Sequence, residues 1–173
     1  MRLALLVTAA LPLLATQVSA QHEHSPSSYA HLDPERTALL PEEIEQLRNG
    51  DGMALALPAE LNHFPGPLHA IELQAELGLT EEQRRRISEI RGAMLEDAVA
   101  KGEEIITVAG HLADAFRSGD PTADGIVRIT AHLGALRGEL QAIHLAAHLA
   151  TRGELTEGQV REYDRLRGYS TGE

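Results

Sequence analysis

The sequence predicts an all-α fold, built as a long antiparallel helical hairpin with short flanking helices. Apolar residues recur every three to four positions over two long segments, and Ser118-Gly119-Asp120-Pro121 separates the two as a turn. No segment shows the alternation of apolar and polar residues that is typical of a half-buried strand. We expect one helical domain over residues 39–168, followed by a tail over 169–173.

The first twenty residues predict a cleavable secretory signal peptide. Arg2 precedes an apolar run, and Val18-Ser19-Ala20 is a small-residue cleavage site. The apolar run is short for a membrane span and lacks a basic flank, so no stable membrane insertion is expected. From this signal peptide we expect export of the mature chain, to the periplasm if the source is a Gram-negative bacterium. Residues 21–38 are polar without apolar periodicity, which predicts a disordered leader.

Composition narrows the functional classes. The formal net charge is −11 and aromatic residues make up only 3%, which argues against nucleic acid as a partner. The chain has no cysteine, so disulfides and thiolate metal sites are excluded. Any metal must be held by His, Asp, Glu or Met side chains. No nucleophile elbow, phosphate loop or acid–base pair is apparent, so the chain is not expected to be an enzyme.

Three short helical pieces are predicted before the hairpin. Pro41 begins the first, and Asn49-Gly50 ends it. The second lies around Pro58, with Asp51 as a possible cap. The third runs from Pro67 to Gly78.

The two long helices have distinct start and stop signals. Thr80 and Gln83 form a capping box that opens the first, which should continue to about Arg117. Its apolar stripe comprises Ile87, Ile90, Met94, Ala98, Ile105, Ala109, Leu112 and Phe116. The second should run from about Thr122 to Arg152, with Gly153 stopping it. Its stripe comprises Ile126, Ile129, Leu133, Leu136, Leu140, Ile143 and Ala147.

A second capping box follows the hairpin. Leu155-Thr156-Glu157-Gly158-Gln159 repeats the pattern of Leu79-Thr80-Glu81-Glu82-Gln83, and a last short helix should end near Gly168. Two Leu-Thr-x-x-Gln motifs flanking a helical hairpin resemble the Spy/CpxP-like periplasmic proteins, over roughly residues 65–168. That group includes ATP-independent chaperones and heavy-metal sensor and resistance proteins of the CnrX and ZraP type. The resemblance implies a hairpin that dimerises into a four-helix or cradle arrangement.

Two histidines four positions apart, His144 and His148, are the strongest candidate metal ligands. Spacing i, i+4 places both imidazoles on one side of a helix, where they can bind one ion. The helical wheel puts them at the boundary between the apolar seam and solvent. The alternative is a pair of histidines that only fits a helix surface.

A partner for this pair is expected on the helix before the first capping box. His69, Glu72 and Glu76 cluster on one face by helical spacing, and this helix should fold against the hairpin. The set resembles the CnrX-type arrangement, in which histidine and carboxylate from early helices meet His-x3-His from the last long helix. The predicted metal site is therefore His69, Glu72, His144 and His148, for a divalent transition metal (Zn, Ni or Cu). Glu76 remains an alternative to Glu72.

Other histidines are expected to play smaller parts. His63 lies in a turn and is close enough along the chain to join the cluster. His111 points away from its apolar stripe and should be exposed, and His132 beside the seam should be a packing residue.

Some surface features fit a different function. Apolar residues off the main stripes, Leu95, Val99, Leu145 and Leu149, would form a client surface or a dimer contact. A hairpin of two long helices has little core alone, so a homodimer is the expected partner. The triplet Arg84-Arg85-Arg86 opposes the helix dipole, which indicates acidic partners outside the chain or pairing across a dimer. The alternative is a solvated helix start.

Two functions follow from these observations. The first is a periplasmic metal-binding protein that acts as a heavy-metal sensor or resistance accessory, with a membrane sensor as a possible partner. The alternative is an ATP-independent chaperone or envelope-stress protein of the Spy/CpxP kind, with unfolded envelope proteins as clients.

Overall fold

The all-α prediction is confirmed over the part of the chain that the computed structural model describes, which is Ser27, Tyr29 and residues 38–169. Contacts divide the chain into two units, Met1–Leu32 and Asp33–Glu173, and the helices belong to the second. Within the described residues there are six helices and no strand: α1 (Pro41–Asn49), α2 (Leu57–Glu60), α3 (Pro67–Glu72), α4 (Glu81–Arg117), α5 (Ala123–Glu154) and α6 (Glu157–Arg167). The predicted signal peptide, nearly all of the leader and the end of the tail lie outside the described residues.

The long helices α4 and α5 pack against each other and carry the main core. The buried members of this core are Leu47, Ala98, Ile105, Val108, Leu136 and Leu140. Thr122 caps the start of α5, since its hydroxyl accepts the Gly125 N–H at 3.2 Å. Near the turn of the hairpin, Phe116 of the α4 stripe remains 59% exposed, and Val127, which lies off the α5 stripe, remains 64% exposed.

Helix α1 lies across α4 at a glycine. A Cβ atom on Gly102 would stand 2.4 Å from the Leu47 carbonyl oxygen, so only glycine permits this approach of the two backbones. Two ion pairs flank the contact: Arg48 with Glu103 at 3.2 Å, and Glu43 with Arg137 of α5 at 2.5 Å. Because these side chains are largely exposed, the pairs align the helices more than they stabilise them.

The two capping boxes meet face to face. Each glutamine closes its own box, accepting the backbone N–H of Thr80 or Thr156 at 3.0 and 2.9 Å. The two side-chain amides then bond to each other, with Gln83 Nε2 donating to Gln159 Oε1 at 2.9 Å and Gln159 Nε2 donating to Gln83 Oε1 at 3.1 Å. We call this arrangement the glutamine pair.

The glutamine pair also binds two backbone carbonyls, one at the end of α5 and one in the turns between α3 and α4. Gln83 Nε2 donates to the Glu154 carbonyl at 2.7 Å, and Gln159 Nε2 donates to the Leu77 carbonyl at 3.3 Å. A small second core lies beside it, formed by Ala70, Ile87, Leu155 and Val160. The motif therefore does more than cap helices, because it joins the starts of α4 and α6 to the end of α5.

The structure corrects three predicted boundaries. Helix α3 ends at Glu72 rather than near Gly78, because the chain then turns to bury Leu77 and present its carbonyl to the glutamine pair. Gly153 lies inside α5, which ends only where buried Leu155 becomes extended. Asp51 does not cap α2, whose N-cap is Ala56 with no side-chain hydrogen bond.

The side chains of the arginine triplet pair with glutamates of their own helix. Arg85 bonds Glu82 and Glu89, and Arg86 bonds Glu82 at 2.8 Å. These hydrogen bonds, the one from Arg85 first, lower the pKa of Glu82 to about 2. Arg84 likewise pairs with a first-turn glutamate. Among the described helices, none is long and apolar enough to cross a bilayer.

Replacing Gln83 tests the glutamine pair. Gln83→Ala removes one capping contact and leaves the Glu154 carbonyl and the Gln159 amide without their partner. We expect the free energy of unfolding, measured by urea denaturation, to fall by about 1–3 kcal/mol. Gln46→Ala, on α1, is the control and should change it by less than about 0.5 kcal/mol. Equal effects of the two substitutions would contradict the role assigned to the pair.

Two glycines of α4 form a matched test of the α1 crossing. Gly102→Ala should lower the free energy of unfolding by about 1–3 kcal/mol, because the new methyl group collides with α1. Gly110→Ala meets no atom within 4 Å, and should raise it by about 0.5–1 kcal/mol through helix propensity. Stabilisation by both substitutions would show that α1 does not pack on Gly102.

Candidate metal centre

A cavity of about 390 Å³ lies between the hairpin and the segment that carries α2 and α3. Both long helices contribute to its walls, as do the turn after α1 and the start of α3. Its polar lining includes Asp51, Glu60, His69, Arg91, His144 and His148. Three of the four predicted ligands therefore line one cavity, and Glu72 is the one that does not.

His144 and His148 are buried, with 3% and 6% of their surface exposed. The prediction placed them at the boundary between core and solvent, and this was wrong. The hydrophobic pattern of α5 could not show that residues 50–72, from the turn after α1 to the end of α3, cover this face of the helix. We call these residues the cover. The cover turns a surface pair into an enclosed pair of imidazoles.

The ring of His148 is held in one orientation. Its Nδ1 lies 2.8 Å from the Phe64 carbonyl oxygen, and since a carbonyl only accepts, Nδ1 carries the hydrogen. The lone pair of the neutral ring is then on Nε2. A Cβ atom on Gly66 would stand 3.0 Å from that Nε2, so glycine is needed for the loop to pass the ring.

His144 has an unpaired nitrogen. Its Nε2 is buried, and no hydrogen-bond partner lies within reach among the described residues. Burial lowers the pKa of His144, the nearby His148 lowers it further, and Asp51 acts in the opposite direction. The ring is therefore neutral near pH 7 and has a donor or acceptor atom that the protein does not use.

The carboxylate of Glu60 is held beside His148 by Tyr163. The buried Tyr163 hydroxyl donates to Glu60 Oε2 at 3.1 Å and accepts the Gly66 N–H at 3.4 Å. Burial raises the pKa of Tyr163, and the charge of Glu60 adds to this. Glu60 Oε1 lies 3.9 Å from His148 Nδ1. These contacts join α2 and α6 to the loop at Gly66, which passes the His148 ring.

His69 lines the cavity and is hydrogen-bonded to a carboxylate that lies outside it. Its Nδ1 donates to Glu72 Oε2 at 2.8 Å, while the Glu72 side chain is 57% exposed and outside the cavity. This bond leaves Nε2 of His69 as its free nitrogen, which is how carboxylates orient histidine ligands in metal sites. Glu76 is exposed and also outside the cavity. Helix α3 packs on the hairpin as predicted.

The remaining histidines take other places. His63 has a left-handed backbone, φ 66°, and its Nδ1 donates to the buried Asp164 at 2.7 Å. His111 is exposed as predicted. His132 is exposed too, and the prediction that it packs beside the seam was wrong, because α1 covers a different face of the hairpin.

Sequence reasoning did not find Asp51 and Glu60 as members of the site. Both lie in a stretch without apolar periodicity, where two consecutive non-glycine residues, Met53 and Ala54, have left-handed φ values of 41° and 60°. Such conformations are rare without glycine and come from tertiary packing, so no local pattern predicts them. The unusual density of glycine, proline and acids was the only available signal.

The donor types suit a transition metal, although the donor atoms are not close enough together to bind one ion. Among the described residues, no three His, Asp or Glu side chains already stand close enough together to hold one ion. The unpaired buried Nε2 of His144 and the oriented ring of His148 nevertheless match what such a metal needs from a protein. Binding would require side-chain rotations within the cavity.

Comparison with protein-family models, with curated proteins and with solved structures finds no match to this chain.

The lowered pKa of His144 predicts how stability depends on pH. The unfolded chain, with a histidine pKa near 6.5, takes up this proton before the folded chain does. Stability from neutral His144 is therefore complete above pH 6.5 and declines as the pH falls below 6.5 toward the lower folded pKa. Urea denaturation in chelator across this range should show a shallower decline for His144→Gln than for the parent. His111→Gln controls for the loss of one titratable side chain, and parallel curves for parent and His144→Gln would refute the assignment.

Proposed function

We propose that this chain is an exported metal-binding protein of the periplasm that holds one transition-metal ion at His144 and His148. The observation that carries the proposal is the buried pair itself. One ring is oriented by a backbone carbonyl, and the other keeps an unpaired buried nitrogen. A buried polar atom without a partner costs about 1–3 kcal/mol, so a ligand that satisfies it is favoured.

His69 supplies the third imidazole in this proposal. Its free Nε2 belongs to a side chain that already lines the cavity, and Glu72 acts by orienting it. Asp51 lines the cavity as a carboxylate, and Glu60, which the Tyr163 hydroxyl orients, is a second one. Three neutral imidazoles with one carboxylate fit Zn, Ni or Cu.

Metal binding would change the segment that covers α5. The ligands come from this cover (His69 and Asp51) and from the hairpin (His144 and His148), so one ion would fasten the first to the second. The cover includes left-handed non-glycine residues, which are held only by their surroundings. A bound ion would hold the cover on α5 more firmly than an empty site does, and a heavy-metal sensor or a resistance accessory requires such a difference between the two states.

The second candidate is an ATP-independent chaperone, favoured by exposed apolar residues around the cover. Leu57 and Leu61 beside α2 are 50% and 56% exposed, and Leu68 of α3 is 41% exposed. Two other residues expected in a client surface, Leu95 and Val99, are instead partly buried against Gly50. Exposed Phe116 and Val127 at the hairpin turn are where a second copy would pack in the proposed homodimer.

Calorimetric titration of the metal-stripped chain with Zn, Ni and Cu(II) tests the proposal. We expect one ion bound per chain, and loss of that binding in His144→Ala/His148→Ala, because both buried nitrogens are removed. The matched control is His111→Ala/His132→Ala, which removes two exposed histidines and should bind like the parent.

Two results would contradict the metal site: equal binding by both double variants, or no binding by the parent. The latter, together with suppression of client aggregation that a chelator does not affect, would favour the chaperone.

A further inference from the structure

The methionine side chains of this chain are a second type of metal donor near the two histidines. There are three methionines in the sequence, and apart from Met1 they are Met53 and Met94. Both line the cavity that contains His144 and His148. They come from different parts of the fold, since Met53 follows α1 and Met94 belongs to α4. The two thioethers that the described residues contain therefore line the same cavity as the two buried imidazoles.

The turn after α1 brings the two methionines to one cavity. Gly50, with a left-handed φ of 66°, is pressed against α4, and a Cβ atom on it would stand 3.3 Å from side-chain atoms of both Leu95 and Val99. The turn thus lies on α4 beside Met94. Met53 then has a left-handed backbone, φ 41°, which is rare for a residue other than glycine and is held by the packing around it.

The chemistry of these donors differs from that of the imidazoles alone. A thioether is a soft, uncharged ligand, and soft ligands select Cu(I) over Zn(II) or Ni(II). Imidazole accepts copper as well. Four neutral donors also suit a single positive charge in a partly buried site, since less charge is taken out of water than with a divalent ion.

We infer that the cavity binds Cu(I), with Met53 and Met94 as thioether ligands beside His144 and His148. This inference rests on the proposed metal site and assigns it a metal class. The thioethers add specificity for Cu(I), which is soft and monovalent. Divalent ions, which do not use sulfur, would be bound through His69 and Asp51 instead.

Met53 also packs against the main core, so a structural role must be separated from a ligand role. Met53→Leu/Met94→Leu makes this separation, because leucine keeps the apolar volume and removes the sulfur. The Cu(I) affinity of parent and variant is measured without oxygen by competition with bicinchoninate, and the Zn(II) affinity by competition with a chromophoric zinc chelator. Thermal unfolding of both metal-free proteins checks that the fold is kept.

We expect the variant to lose at least about tenfold in Cu(I) affinity and to keep its Zn(II) affinity. Unchanged Cu(I) affinity would overturn the inference, as would an equal loss for both metals, which would indicate a packing effect. X-ray absorption of the Cu(I)-loaded parent gives a second reading that needs no variant. Sulfur neighbours support the inference, and nitrogen and oxygen neighbours alone overturn it.

Failure of this inference differs from failure of the proposed function. A parent chain that binds Zn(II) through His144 and His148 but shows no dependence on sulfur keeps the metal site and loses the copper assignment. A parent chain that binds neither ion loses both.

Discussion

The bonding of Gln83 to Gln159 is the constraint on which the arrangement of the helices depends. Each amide serves its own capping box, its counterpart and a carbonyl from another element. An amide that lost its counterpart would leave several polar groups unsatisfied in a half-buried place, so the bonds hold together or fail together. They fix where α4 and α6 begin relative to the end of α5. The histidines of α5 and the tyrosine of α6 are positioned from that junction.

The cavity exists because the cover, which has little regular secondary structure, is held over the hairpin of α4 and α5. Gly50 and Gly66 allow the cover to approach within contact distance of α4 and of the His148 ring. Tyr163 then ties the cover to α6 through Glu60. The rigid hairpin supplies two ligands in fixed register, and the cover supplies the rest. This division places the precise part of the site on helices and the adaptable part on turns.

Much of the fold could be predicted from local signals, whereas much of the site could not. Capping boxes at Thr80 and Thr156 and a proline-initiated α1 are local chemistry, and the helices begin where these signals lie. The spacing of His144 and His148 correctly put both on one side of α5. Their burial was not predictable, because it depends on a cover whose left-handed residues are fixed by tertiary contacts. The pairing of the two motif glutamines likewise joins positions 76 apart and has no local signature.

The place of Tyr163 has an optical consequence. The chain has no tryptophan and three tyrosines, so its ultraviolet fluorescence comes from tyrosine alone. Tyr163 is fully buried, donates a hydrogen bond to Glu60 beside the cavity, and has Tyr169 at 6.4 Å between ring centroids. A phenol bonded to a carboxylate is a weak emitter, and any shift of Glu60 would change that bond. The emission of the unmodified protein therefore reports on the state of its cavity, with no label attached.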